Sequence, residues 1–219
     1  MKSRSFLMRL LNVYPDEWST VKSLYMLQFF QGAGIAFFFT SAFAQFLEEF
    51  PITELPWVML CSAGFLWIAG YLYAKLEHAF SFKTFNIGTM LVTTLSMLIF
   101  WFADHEVTGK WFFYLMMSWF YVLYLIDNLG FWGIAATLFD VRQSKRLFAV
   151  ISAGDIPAKF FGYTLALIIV PYTGTRHLVL IGAACMMASL PSFFAILRAK
   201  KQLKEQHQDH SHSHQQHKP

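Results

Sequence analysis

The sequence predicts an all-α integral membrane protein of six spanning helices, with both termini on the cytoplasmic side. Three observations lead there. Of 219 residues, 56% are hydrophobic and only 14% are charged, where soluble domains run near a quarter charged. The apolar residues form six continuous runs, each long enough to approach the roughly 20 residues a helix needs to cross the hydrocarbon. Lys and Arg crowd onto one side of those runs, the bias expected of cytoplasmic connectors.

The same composition excludes other classes. A β-barrel would show alternating runs of about ten residues, and these runs do not alternate. The net charge of +4 lies in the connectors between spans, so it implies no nucleic-acid partner. Cys61 and Cys185 both fall inside apolar runs, which argues against a disulfide framework. The N-terminus lacks the apolar core and small-residue cleavage site of a secretory signal, so the first span is expected to serve as an uncleaved insertion signal.

In order along the chain, residues 1–20 begin with an amphipathic stretch. It places Phe6, Leu7, Leu10, Leu11 and Tyr14 on one helical face, with Lys2, Arg4 and Arg9 off it. That pattern suits either a helix lying on the membrane surface or a frayed basic tail. The spanning domain, residues 21–198, holds runs at roughly 22–47, 56–75, 85–103, 111–139, 147–170 and 177–197. With the N-terminus lie 14 basic residues, from Lys2 to Lys218; the opposite side has only Lys110 and Arg176. The connectors are short, so successive helices are expected to pack as antiparallel neighbours. Residues 199–219, AKKQLKEQHQDHSHSHQQHKP, are polar and His-rich, and their composition predicts a disordered cytoplasmic tail.

Ionisable groups deep in an apolar span are costly, at roughly 2.5 kcal/mol or more each on insertion scales. Two spans carry them. The fourth has Asp127-Asn128, and the fifth has Asp155, Pro157 and Lys159. Lys159 follows Asp155 by four residues, which puts both on one helix face. Pro157 would remove a donor between them and leave a carbonyl near Ala153 free. Counted from Phe139 inward and from Leu147 inward, Asp127 and Lys159 each lie 12 residues deep, about 18 Å at the helical rise. An ion pair, or an Asp127–Lys159–Asp155 triad, would lower the cost of burial. Two readings stay open: a fixed bridge pinning the two helices, or a solute or coupling-ion site. On the first span, Gln28 and Gln31 lie three residues apart beside Gly32 and Gly34, with Thr40, Ser41 and Gln45 further on. Its glycines suit close helix packing. Its glutamines suit a cavity or an interhelical hydrogen bond. At the inner mouth, Arg142, Lys145 and Arg146 form a basic patch suited to anionic headgroups or to attracting an anionic solute.

The stretch FDVRQSKRLFAVISAG (139–154) resembles the connector between the fourth and fifth helices of the ATP/ADP carrier (nucleotide transporter) family of the major facilitator superfamily. The matching residues are Asp140, Arg142-Gln143, Lys145-Arg146-Leu147-Phe148 and Ala153-Gly154. Residues 46–77 look like the first-to-second helix region of bacterial relatives. The resemblance, with the six-helix layout, spans about residues 20 to 200. It implies half of a twelve-helix bundle, a bacterial inner membrane or an organelle descended from a bacterium, and a nucleotide or other phosphorylated anion as cargo. The sequence departs from the family in having six helices and in placing Asp155, Pro157 and Lys159 in what the family makes a plainer Gly-rich helix. It also lacks the Gly-x-x-x-Asp signature between helices two and three.

Three other functions compete with transport. A cation-diffusion exporter would use a His-rich tail such as His207, His210, His212, His214 and His217, but also needs a His and Asp pair inside the helices. The spans offer none, because His78, His105 and His177 sit at helix ends. A membrane enzyme would need a nucleophile and base, or a metal set, and no such pattern occurs. A membrane interaction module remains the main competitor. The expectation is therefore a non-enzymatic, cofactor-free transporter or half-transporter for an organic anion. Its binding residues are expected to be Lys159, Asp155, Asp127, Asn128, Gln28 and Gln31. It would be completed by a second six-helix half, either another copy of itself or a separate chain.

Overall fold

The structure, a computed structural model, describes residues 14–107, 109–139, 147, 150 and 152–216, with no account of the side chains of residues 15, 16 and 200–216. The amphipathic stretch of residues 1–13 and the patch of Arg142, Lys145 and Arg146 lie outside the described residues. Among the described residues the chain is all α apart from one short 3-10 turn at Ile52–Glu54. Its helices are α1 (Pro15–Glu49), α2 (Leu55–Ala79), α3 (Phe82–Glu106), α4 (Trp111–Leu138), α5 (Asp155–Thr173) and α6 (His177–Gln216). Six segments within them are long and apolar enough to cross a membrane.

Local chemistry sets several of the ends. Pro56 lies in the first turn of α2, where a missing N–H costs nothing. Ser81 caps α3 by accepting from the Thr84 N–H at 3.4 Å, so that helix starts three residues before the apolar run does. α5 ends at Gly174, whose φ of 79° is left-handed and whose N–H returns to the Val170 carbonyl at 2.8 Å. The composition boundary at residue 199 falls inside α6, whose backbone stays helical to Gln216.

The helices do not pack in chain order. α1 is the interior element, with 67% of its apolar window buried against 11% for α2. Its main neighbours are α4, α5 and α6, while α2 lies on α4 and α3 lies on α6. The expectation of successive antiparallel pairs is thus corrected. Short connectors fix the direction of the next helix, but side-chain size decides which helices can approach.

Small residues supply those close seams. The face of α5 made by Ala158, Gly162 and Ala166 is buried while most of the helix is exposed. It meets Gly32, Ala33 and Ala36 of α1, and a Cβ added at Gly162 would stand 2.7 Å from the Ala36 Cβ. On the other side of α1, Gly34 and Gly182 of α6 pack backbone on backbone: a Cβ at either would come within 2.9 Å of the other's carbonyl oxygen. Close packing is the use the structure makes of the α1 glycines.

Beside a smaller cluster of Phe37, Ala166 and Leu178, two large apolar clusters fill most of the bundle among the described residues. One joins Phe38, Phe46, Met97, Met116, Leu123 and Val179. The other joins Val21, Leu24, Met90, Phe131, Leu147 and Phe193. Between them, at one level, α1 contributes Gln28 and Gln31, α3 Thr93 and Thr94, α4 Asp127 and α6 Ser189, all buried. The bundle is therefore layered, with a polar belt between two apolar cores.

Candidate functional site

The polar belt holds the site, and α5 explains its position. Leu147, Val150 and Ser152 are helical, Ala153 and Gly154 form a turn, and a new helix begins at Asp155. This start is deep inside the bundle. Gly154 packs on Tyr25 and Gln28, and Asp155 on Gly32. Gly32 lies 10 residues beyond Lys22, about 15 Å along the helix. Asp127 lies 11 residues inside Leu138, about 16 Å from that end, so the two count to the same depth.

That break corrects the reading of Pro157. It does not disturb a running helix; it occupies the first turn of α5, where its missing N–H would have had no partner anyway. Depth cannot be counted from Leu147 through the break either. Lys159 reaches the belt because its helix starts there.

Lys159 and Asp155 are joined as the sequence spacing predicts, with Nζ donating to Asp155 Oδ2 at 2.5 Å. The ammonium also lies over the Tyr124 ring of α4, 4.8 Å from its centroid, a cation–π contact that adds to the pairing. Both partners are about one-quarter to one-third exposed, at 25% and 30%. The pair thus sits at an open edge between α4 and α5.

Asp127 is elsewhere. Among the described residues no ion pair joins it to Lys159, so the expected triad does not form as a bonded unit. Asp155 and Lys159 are the charges that act on Asp127 electrostatically. Its side chain is buried, and Oδ1 has no hydrogen-bond partner. It faces a cavity of about 10 Å³ shared with Gln31 of α1, Asn86, Thr89 and Thr93 of α3, and Gly130. The two glutamines divide between the sites. Gln28 lies against Gly154, Gln31 lines the cavity, and the Oε1 of each is buried without a partner. Asn128 joins neither, since its amide donates to the Tyr124 carbonyl of its own helix at 2.8 Å. Thr40, Ser41 and Gln45 are also satisfied within α1, through Thr40 to Ala36 and Gln45 to Ser41.

Asn86, Thr89 and Thr93 were missed in the sequence. Their spacing of three and four residues puts them on one helical face, and that periodicity was the available signal. At the opposite end of the bundle, Arg176 bridges to Asp104 with Nε 3.3 Å from Oδ2, contacts His105 Nδ1 at 3.0 Å and donates to the Trp101 carbonyl at 3.2 Å. It ties the α5–α6 turn to the end of α3. Among the described residues no group of three or more His, Cys, Asp or Glu side chains is placed to hold a metal ion. No family model, curated protein or solved structure matches this chain.

Proposed function

We propose that this chain is a six-helix half of a transporter that moves an organic, phosphorylated anion by alternating access. The observation that carries the reading is the Lys159–Asp155 pair in the first turns of a helix that begins inside the bundle. A helix N-terminus presents unpaired N–H groups and the positive end of its dipole. Discontinuous helices with such ends, aimed at anionic groups near the midplane, recur in secondary transporters. Lys159 supplies a full positive charge beside that end, and Gln28 an unsatisfied amide oxygen that could take a substrate hydroxyl. Asp155 holds the ammonium in the empty state and yields it to the anion. The resemblance of residues 139–154 to the ATP/ADP carriers supports a nucleotide-type cargo and a bacterial inner membrane. A second half, another copy or a separate chain, would cover the exposed edge.

The competing reading makes the same pair a permanent clamp in a membrane interaction module. Exchange of labelled nucleotide in liposomes holding the full chain separates the two, with Lys159→Ala/Asp155→Asn as the charge-balanced variant. Loss of a charged hydrogen bond of about 1.5–3 kcal/mol should lower exchange by roughly ten- to a hundredfold. Exchange at the wild-type rate in the variant would make Lys159 structural.

A further inference from the structure

We infer that the cavity behind Asp127 is a binding site for a small monovalent cation of the sodium class, separate from the Lys159–Asp155 edge. The walls decide the sign of the charge. Asp127 Oδ1 and Gln31 Oε1 are buried acceptors without donors. Thr89 donates its hydroxyl hydrogen to the Asn86 carbonyl at 2.9 Å, and Thr93 donates to the Thr89 carbonyl at 2.8 Å. With their hydrogens committed to the α3 backbone, both hydroxyls have only lone pairs left to offer. Asn86 likewise spends an amide hydrogen on the Phe82 carbonyl at 2.8 Å. Oxygens of Gln31, Thr89, Thr93 and Asp127 reach the cavity from three helices, beside the apolar side chains of Met90, Ile126, Ile134 and Met186, and an anion there would face the Asp127 carboxylate.

Charge balance decides the valence. A carboxylate buried as Asp127 is must be either protonated or matched by a cation, and the oxygen set beside it favours the cation. The nearest ammonium, Lys159, is already paired with Asp155. One carboxylate balances one positive charge, whereas calcium sites gather six to eight oxygens and usually several carboxylates. Size decides the rest. A volume of about 10 Å³ holds about one particle the size of a water molecule. Neutral amide and hydroxyl oxygens around a single carboxylate suit a hard monovalent ion of that size.

The site requires no transport activity, so its test is independent of the proposed function. The full chain, purified in mild detergent, is heated in sodium, potassium or choline chloride at constant ionic strength, and unfolding is followed by tryptophan fluorescence. Sodium is expected to raise Tm saturably over choline, with potassium at least about tenfold weaker in half-saturating concentration. Asp127→Asn should abolish the sodium-specific shift. If that variant fails to fold, Thr93→Val, which keeps the shape but removes an oxygen, decides the matter. It should raise the half-saturating sodium concentration at least severalfold while leaving Tm in choline unchanged within a few degrees. Equal Tm in sodium and choline, including the case where Tm responds to pH alone, overturns the inference. So does a sodium shift that persists unchanged in Asp127→Asn or Thr93→Val.

Discussion

Gly162→Ala adds a single methyl group to the tightest seam in the bundle. The new Cβ would lie 2.7 Å from the Ala36 Cβ, about 0.8 Å short of the ~3.5 Å at which carbon atoms begin to attract. The neighbouring atoms are the Ala33 Cα and carbonyl oxygen at 3.4 Å, backbone that cannot rotate aside. α5 must therefore move away from α1. Overpacking of this kind costs about 1–3 kcal/mol, offset by the roughly 1 kcal/mol that alanine gains over glycine in a helix. The expected net loss is about 1 kcal/mol, measured by unfolding in mixed micelles with tryptophan fluorescence. Adding Ala36→Gly removes the other methyl. It should restore the seam with a coupling energy of about 1 kcal/mol or more in a double-mutant cycle. A Gly162→Ala variant more stable than the wild type, or a cycle with no coupling, would refute close packing of α1 on α5. The variant carries a second readout, since α5 also holds Lys159. Under the proposed function, nucleotide exchange should fall in the single variant and return in the double.

Other outcomes can be stated more briefly. Arg176→Ala strips Asp104, whose side chain is only 9% exposed, of its cation, and should destabilise the chain by about 1–3 kcal/mol. Arg176→Met with Asp104→Asn should recover much of that in the same unfolding assay. Cysteines introduced at Ser81 and Gly109, in a chain lacking Cys61 and Cys185, should react oppositely with an impermeant maleimide applied to intact cells. Position 109 labels at once and position 81 only after permeabilisation, and the reverse pattern would invert the orientation read from the basic connectors.

The spans were legible because hydropathy integrates over a whole helix and needs no knowledge of partners. The i,i+4 bond between Asp155 and Lys159 was legible for a similar reason, being a local consequence of spacing. Partner choice was not. Which glycine of α1 meets which neighbour depends on matching surfaces from residues 32–36 with residues 158–166 and with residue 182, and nothing local reports that match. The break before α5 was hidden by its apolar surroundings, although Gly154, Asp155 and a proline two residues later is a pattern that suits a helix start. Asn86, Thr89 and Thr93 escaped because they donate to carbonyls three or four residues back on their own helix. A threonine satisfied in this way enters a membrane span at little cost and leaves a weak mark in the sequence. Only the arrival of Asp127 from α4 and Gln31 from α1 turns that face into a cavity wall.

The interior position of α1 has a consequence for how the chain is made. This helix leaves the ribosome before α4, α5 and α6, which cover it. Until they arrive, Thr20, Gln28 and Gln31, all buried in the finished bundle, have only lipid, water or the insertion machinery around them. Hydrocarbon offers such amides and hydroxyls no partners. α1 is therefore best kept beside the insertion machinery, at its aqueous margin, until most of the remaining chain has been synthesised. Ribosome-bound intermediates truncated before residue 155 should crosslink from α1 to the insertion channel, and longer ones should release it.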